Sequence, residues 1–114
     1  MNIGTENTLR HKKCVPCEGG VDPLTIEAVA LYLPMVKGWK LTGGKIAREW
    51  TFKDFPEALD FVNKVGALAE NEGHHPDINL HSWNKVKLTS YTHAINGLHL
   101  NDFVLASKIN ELDK

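Results

Sequence analysis

Glu70-Asn71-Glu72-Gly73-His74-His75-Pro76-Asp77 is the stretch around which the rest of the chain is organised. It closes a long segment of helical periodicity and leads into residues that alternate like a strand. Gly73 supplies a stop for the helix, because glycine readily adopts the left-handed conformation that commonly ends helices. Imidazoles titrate near pH 6.5, so two adjacent histidines at a chain reversal indicate proton transfer or metal binding more than packing.

The segment before this stretch predicts an amphipathic helix over residues 54–72. Asp54 and Glu57 form a capping-box pattern, with an N-cap carboxylate followed three residues later by glutamate. The apolar residues that follow share one helical stripe, which we expect to face the core. The members of this stripe are Phe55, Ala58, Leu59, Val62, Val65, Leu68 and Ala69.

The segment after it predicts a β-hairpin and a final helix. Residues 78–83 and 85–92 alternate like paired strands, and Asn84 between them tolerates the left-handed turn conformation. Val86 and Leu88 would face the core. A last helix should begin at about Leu100, and its apolar stripe comprises Phe103, Leu105, Ala106, Ile109 and Leu112.

A second set of elements precedes the long helix. Asp22-Pro23 predicts a helix start, and Pro34 should stop that helix. Residues 39–41 and 45–52 predict strands joined at Thr42-Gly43-Gly44, and Arg48 interrupts the apolar face as if at a sheet edge. The order is helix-strand-strand-helix-strand-strand-helix. This predicts an α+β fold, in which three helices pack on one face of a four-stranded antiparallel sheet.

The composition of the chain limits the kinds of function that we expect. The 114 residues contain 42% hydrophobic and 24% charged residues with a formal charge of -1, typical of one ordinary globular domain. We expect a loosely ordered N-terminal arm over residues 1–20 and a single domain over 21–114. We expect no nucleic-acid partner, since no basic run stands out, and no membrane span or secretory segment. These features predict a soluble, cytoplasmic protein.

The two cysteines form the sequence Cys14-Val15-Pro16-Cys17. Two thiols do not complete a four-cysteine zinc site, although His11 would add a third ligand. A redox dithiol usually follows a strand and opens a helix, whereas this pair lies between polar segments. We therefore favour a plain reduced pair, with metal and redox roles as the alternatives.

The predicted hairpin brings a third histidine to the doublet. If the chain reverses between Asn84 and Lys85, His93 lies opposite Pro76 and within a residue or two of His74. Neighbouring strands lie about 4.8 Å apart, so three imidazoles would line one small pocket. Glu70 lies about one helical turn before His74 and would orient an imidazole there.

Three interpretations of this histidine set stay open at this point. One imidazole would protonate a leaving hydroxyl while another accepts a proton from the adjacent atom, which needs neither metal nor cofactor. The histidines would otherwise be structural, as is the default for His81 and His99. The third interpretation is a metal site formed by His74, His75, His81 and His93.

The spacing of these residues resembles the signature of the pterin-4a-carbinolamine dehydratase family. The resemblance runs from about Asp22 to the C-terminus, and it is specific because several fixed spacings hold together. The residues that carry it are Glu70, His74-His75-Pro76, Trp83, His93 and Asp102, together with Gly73 to Asp77, Trp83-Asn84-Lys85-Val86, Asn96-Gly97-Leu98 and Asn101-Asp102-Phe103. His99 stands where the family often has Ser or Thr, so we expect a weaker N-cap there.

The resemblance implies a hydro-lyase that dehydrates 4a-hydroxytetrahydropterin to quinonoid dihydropterin and so supports recycling of the pterin cofactor. It implies a homodimer or homotetramer, with the pterin as substrate. His74 and His93 would be the acid/base pair, and His75 would chiefly hold the pterin. The resemblance further implies that the substrate-binding and supporting residues are Glu70, Pro76, Asp77, Thr92, Ala94 and Asp102.

Two other functions are compatible with the same resemblance. The chain would act on another pterin, for instance in molybdopterin metabolism, or it would be a non-catalytic dimerisation module, as animal members also are. Fold alone does not separate these functions, because one fold commonly serves several.

Overall fold

The computed structural model describes residues 9–15 and 21–112. Over residues 21–112 the chain forms three α-helices and four strands in the predicted order. The helices are α1 (Ile26–Tyr32), α2 (Phe55–Glu72) and α3 (Leu100–Leu112), and the strands are β1 (Lys40–Thr42), β2 (Lys45–Thr51), β3 (Asp77–His81) and β4 (Lys85–Ser90). Short 3₁₀ turns cover Leu33–Met35 and His93–Ile95.

The strands form one antiparallel sheet in the order β1-β2-β4-β3. Ile46 and Trp50 of β2 and Val86 and Leu88 of β4 are buried on one face, as the alternation predicts. Residues of the opposite face, such as Lys87, are exposed. The α+β fold with helices against one face of the sheet is therefore confirmed.

Arg48 lies just past the last residue of β2 that pairs with β1. Strand β2 lies between β1 and β4 in the sheet, but β1 pairs with it only from Lys45 to Ala47. From Arg48 onward β4 is the one partner strand of β2 among the described residues, so Arg48 lies at an edge position, as predicted. The Arg48 guanidinium donates to Asn110 Oδ1 at 2.7 Å and to the Lys37 carbonyl at 3.0 Å, and it lies over the Trp50 ring. Its charge is accommodated on the core face because the donors find acceptors there.

Helix α2 begins and ends where the sequence predicts. Asp54 Oδ1 accepts from the Glu57 amide at 2.9 Å, and Gly73 ends the helix with a left-handed φ of 68°. The buried stripe differs in detail from the prediction, since Phe55 and Leu59 are exposed. Phe61 takes their place in the core and packs against Trp50 and Phe52 at ring-centroid distances of 4.9 and 5.0 Å.

Helix α1 starts later than predicted, with Thr25 as its N-cap instead of Asp22. The Thr25 side chain accepts from the Ala28 amide at 3.1 Å. The preceding residues are held elsewhere, because the Leu24 amide donates to the Leu98 carbonyl at 2.8 Å. The helix still ends before Pro34, which lies in the 3₁₀ turn that follows.

Helix α3 is enclosed more completely than an amphipathic stripe predicts. Nine of its thirteen residues are buried, and they include polar side chains as well as the predicted apolar ones. The buried polar residues have specific partners, as Asn110 does in accepting a hydrogen bond from Trp39 Nε1 at 2.9 Å. The helix is thus covered by the sheet, by α2 and by the N-terminal segment.

Residues 9–15, called the N-terminal strap below, lie against this helical layer although a loosely ordered arm was predicted here. Leu9 is 1% exposed and Cys14 is buried. Arg10 forms an ion pair with Glu111 at 2.7 Å. Cys17 and the remaining residues of the predicted arm lie outside the described part of the chain, and the domain boundary at residue 21 stays a prediction. Within the described residues, no helix is long and apolar enough to cross a bilayer.

Candidate active site

The three histidines predicted to meet line one cavity of about 340 Å³. Helix α2 ends at Glu72, and the left-handed Gly73 turns the chain so that the histidine doublet precedes β3. His93 begins the 3₁₀ turn that follows β4. The residues around the cavity are Val15, Gly73, His74, His75, Pro76, Asp77, Tyr91, Thr92, His93 and Ala94.

The pairing register of β3 with β4, the strands next to these histidines, differs from the prediction. Asp77 pairs with Thr89, and the left-handed residues of the turn are Ser82 and Trp83, with φ of 51° and 58°. Asn84 is not left-handed, and its side chain donates to the Phe52 carbonyl at 2.8 Å. His93 therefore reaches the cavity from the turn beyond β4, because the ladder between β3 and β4 ends before it.

His74 is held by a buried carboxylate. Its Nε2 lies 2.7 Å from Oδ1 of Asp102, which is 0% exposed. Asp102 also accepts from Ser90 Oγ at 2.7 Å, Thr92 Oγ1 at 2.9 Å and the His99 amide at 3.0 Å. A carboxylate accepts from the His74 Nε2–H, so the neutral ring carries its lone pair on Nδ1. Nδ1 is then the atom of His74 that can take up a proton.

The start of α3 supports this arrangement through an unusual cap. His99 Nδ1 accepts from the Asn101 amide at 3.0 Å, while the His99 amide donates to Asp102. The imidazole and the carboxylate thus act reciprocally, like a capping box. His99 thus provides the acceptor that a Ser or Thr hydroxyl would supply here, and the weaker N-cap expected at this position stays a prediction.

His75 and Glu70 form a second, more exposed pair. His75 Nε2 lies 2.9 Å from Glu70 Oε1, and their side chains are 60% and 82% exposed. Glu70 therefore orients the second histidine of the doublet, whereas Asp102 orients the first. An exposed pair of this kind contributes little to stability, so its geometry matters mainly for the cavity.

His93 packs against Tyr91, a residue that the sequence analysis did not single out. The two ring centroids lie 4.1 Å apart with planes at 47°. Lys45 Nζ lies over the Tyr91 ring, 4.1 Å from its centroid. Aromatic contact of this kind limits the orientations open to His93.

Sequence reasoning also missed Ser90, Asn101 and Val15. Ser90 and Thr92 continue the inward-facing alternation of β4, and a hydroxyl at an inward position needs a buried partner. That pattern was a usable signal for the Asp102 network. Nothing local in the sequence indicated that Val15 would reach the cavity.

The remaining histidines lie elsewhere. His81 is bonded to Glu49 and Ser82 at the end of β3. Within residues 9–15 and 21–112, no three His, Cys, Asp or Glu side chains converge closely enough to hold a metal ion. The alternative of a site built from the doublet with His81 and His93 therefore finds no cluster in this part of the chain.

A larger cavity of about 540 Å³ lies beside α1. Its lining residues are mostly apolar, including Ile26, Val29 and Leu98, and none of the described histidines or carboxylates borders it. Lys45 and Tyr91 do line the larger cavity, but the three histidines lie at the smaller one, which is therefore the candidate active site.

Comparison with known proteins identifies a family that the chain matches over most of its length. Residues 22–112 match the family model described as pterin 4 alpha carbinolamine dehydratase. A Methylococcus capsulatus protein named for this dehydratase is 48% identical over 92% of this chain and 93% of its own. Pterin-4-alpha-carbinolamine dehydratase 2, mitochondrial, from Arabidopsis thaliana is 47% identical over 91% of this chain and 58% of its own.

A solved structure extends the likeness to three dimensions. The transcriptional coactivator/pterin dehydratase from Brucella melitensis superimposes with a TM-score of 0.76 at 30% identity. The match covers 82% of this chain and 100% of the Brucella chain.

Proposed function

The chain belongs to the pterin-4a-carbinolamine dehydratase family, and from this membership we propose that it is a hydro-lyase acting on 4a-hydroxytetrahydropterin. The reaction breaks the C–O bond of the substrate hydroxyl and removes a proton from the adjacent nitrogen. It yields quinonoid dihydropterin and one water. The observation that carries the proposal is the convergence of His74, His75 and His93 on one cavity, with Asp102 buried behind His74.

His74 is the group best suited to accept the proton. Its Nε2–H is bound by Asp102, so Nδ1 is the basic atom. When Nδ1 is protonated, the ring becomes a cation beside a buried carboxylate, which stabilises that charge. His93 then protonates the departing hydroxyl, which leaves as water. The proton taken up by His74 returns to solvent, while His93 is reprotonated for the next turnover.

The other cavity residues bind the substrate. His75, oriented by Glu70, donates or accepts at a ring edge according to its tautomer. Pro76, Asp77, Thr92 and Ala94 also line the cavity. Pockets of a few hundred Å³ with a small number of polar groups are typical of small-ligand sites.

The physiological role that fits this activity is recycling of the pterin cofactor used by aromatic amino acid hydroxylases. The product is the oxidised pterin that a reductase would return to the tetrahydro form. We further propose that the protein acts in the cytoplasm as a homodimer or homotetramer, in keeping with its family.

The test is the dehydration rate of freshly generated 4a-hydroxytetrahydropterin. Wild type should accelerate the reaction over buffer, and His74→Ala and His93→Ala should each lower the catalysed rate about 10²- to 10⁴-fold. His81→Ala is the matched control, since that histidine lies outside the cavity, and it should keep the wild-type rate. Well-folded wild type that gives no acceleration would overturn the proposal.

A further inference from the structure

The N-terminal strap, residues 9–15, is anchored at several points before it reaches the cavity. Leu9 is buried at its start. Near its end, the Cys14 amide donates to Glu72 Oε1 at 2.9 Å, and the Cys14 thiol lies 3.6 Å from the Asn101 carbonyl oxygen. Lys13 Nζ donates to the Asn71 carbonyl at 3.1 Å. These contacts tie the strap to the end of α2 and the start of α3.

Asn101 uses both ends of its side-chain amide on one residue of the strap. Its Oδ1 accepts from the Val15 amide at 2.9 Å, and its Nδ2 donates to the Val15 carbonyl at 2.6 Å. Asn101 is only 3% exposed and immediately precedes Asp102. A buried amide with two hydrogen bonds fixes its partner in position and direction.

The residue fixed in this way carries an exposed apolar side chain. Val15 lines the histidine cavity, yet it is 55% exposed. Its backbone is thus held rigidly while its isopropyl group stays open to the cavity and solvent. A pterin has polar edges and flat apolar faces, so Val15 adds an apolar contact for a face to those that Pro76, Tyr91 and Ala94 offer in the same cavity.

We propose that Val15 is a specificity-determining residue that contacts the pterin, and that Asn101 is its positioning residue. This inference rests on the proposed function, and it assigns the strap a part in substrate binding. Substrate binding buries the isopropyl group of Val15. Because the two equilibria are linked, the substrate stabilises the docked strap by the same free energy by which docking of the strap strengthens substrate binding. Val15 contributes equally to bound substrate and transition state, because it takes no part in proton transfer.

The first experiment compares Val15 with a valine that the cavity does not use. Val21 is 53% exposed and does not line the cavity, so Val21→Ala and Val21→Asp are matched controls. Affinity for 7,8-dihydrobiopterin, a stable probe, and the kinetics of dehydration are measured for these and for Val15→Ala and Val15→Asp.

We expect Val15→Ala to raise both the Kd for the probe and KM about threefold to tenfold, and Val15→Asp to raise them further. The value of kcat should stay within about twofold of wild type, because the lost contact binds the substrate and the transition state equally. The Val21 variants should match wild type. Val15 variants with wild-type Kd and KM would overturn the inference.

The second experiment asks whether Asn101 acts through Val15. Asn101→Ala should raise KM by about the same factor as Val15→Ala, and the double variant of these two substitutions should show little further change. Additive effects of the two substitutions would show that Asn101 does not act through Val15. A loss of folding in Asn101→Ala would leave the Val15 series to decide.

Alkylation of Cys14 reports docking of the strap directly. Burial raises the pKa of the Cys14 thiol to about 12, so the docked thiol should react slowly with iodoacetamide. In a Cys17→Ser background, the probe should slow alkylation of Cys14 further, and Val15→Asp should abolish that protection. Alkylation that is insensitive to the probe in otherwise active protein would overturn the coupling.

The two proposals fail in different ways. Wild type that neither dehydrates the substrate nor binds the probe overturns both the function and this inference. Wild type that does both, with Val15 variants that behave like it, overturns the inference alone.

Discussion

His74 Nε2 and Asp102 Oδ1 lie 2.7 Å apart and join the end of α2 to the start of α3. The carboxylate is fully buried and accepts three further hydrogen bonds, from two hydroxyls and a backbone amide. These partners fix the Asp102 carboxylate in place, and the carboxylate in turn orients His74. Asp102 therefore binds one nitrogen of the His74 imidazole, and the other nitrogen, Nδ1, is the one that accepts the proton in the proposed mechanism.

Asp102→Asn should lower kcat for dehydration of 4a-hydroxytetrahydropterin by about 10²- to 10⁴-fold. The amide cannot present acceptors to all four donors, because its NH₂ group would face the His99 amide or the His74 Nε2–H. Either arrangement leaves a donor unsatisfied or forces His74 into the other tautomer. Steady-state kinetics at saturating substrate measure the effect.

The controls are Ser90→Ala and Thr92→Val, each of which removes one hydroxyl donor and keeps the carboxylate. Their kcat should fall much less than that of Asp102→Asn. An Asp102→Asn enzyme with kcat within about twofold of wild type would mean that the carboxylate has no role in orienting His74.

The elements that could be predicted from sequence are those with local signals. Helix α2 has an N-cap at Asp54, a glycine stop at Gly73 and helical periodicity between them, and it forms over the predicted residues. The hairpin turn was placed one to two residues late, because Ser82 and Trp83 adopt positive φ without the glycine that usually marks such turns.

In the candidate site, too, the contacts that could be predicted differ from those that could not. The histidine doublet and His93 were brought together by strand pairing, and the approximate register was enough for that. The pairing of Asn101 with Val15 joins residues 86 positions apart, and no periodicity links them. Polar residues at inward positions, such as Ser90 in β4, show that a buried network exists but do not identify its partners.

Gly66 inside α2 and Gly73 just after its end provide a matched test of backbone conformation. Gly66 is inside the helix, and a Cβ added there meets nothing within 4 Å, so Gly66→Ala should stabilise the fold by about 0.5–1 kcal/mol. Gly73 has φ of 68°, so Gly73→Ala should destabilise it by about 1–2 kcal/mol. Urea unfolding of both variants at one pH measures the difference.

The same pair distinguishes backbone strain from crowding. Apart from the adjacent residues, no described residue has an atom within 4 Å of an added Cβ at Gly73 either, so the predicted loss comes from the left-handed conformation. Gly73→Asn should recover part of the stability, because asparagine tolerates this conformation better than alanine. Equal stabilities for the Ala and Asn variants would contradict that explanation.

Glu72 should make the fold sensitive to acid. Burial by itself raises the pKa of this carboxyl, but hydrogen bonds from Lys108 Nζ at 2.7 Å and the Cys14 amide outweigh it, so the pKa is lowered. The stabilisation is therefore present above the unfolded value near 4.5 and is lost as the pH falls through the folded pKa.

Glu72→Gln should cost about 1–3 kcal/mol of unfolding free energy near neutral pH, because it leaves Lys108 without its buried carboxylate. The difference in unfolding free energy between wild type and Glu72→Gln should decrease as the pH falls below about 4.5. Parallel urea titrations across this range measure it. A gap that stays constant with pH would show that Glu72 stabilises the fold by packing alone.

Cys14 should make the fold sensitive to alkali. Its pKa is raised to about 12, first by burial and then by the negative charge of Glu72. An unfolded thiol ionises near pH 8.5, so its contribution is fully present below that pH. It is lost as the pH rises towards the folded value, at up to about 1.4 kcal/mol per pH unit.

The measurement compares Cys17→Ser with Cys14→Ala/Cys17→Ser, so that a single thiol differs. The stability advantage of the chain that keeps Cys14 should shrink by about 2–3 kcal/mol between about pH 8 and about pH 10.5. Other groups that titrate in alkali affect both chains alike and cancel in the difference. An advantage that does not change over this range would mean that Cys14 ionises as readily in the folded protein as in the unfolded one, and that the strap does not keep it buried.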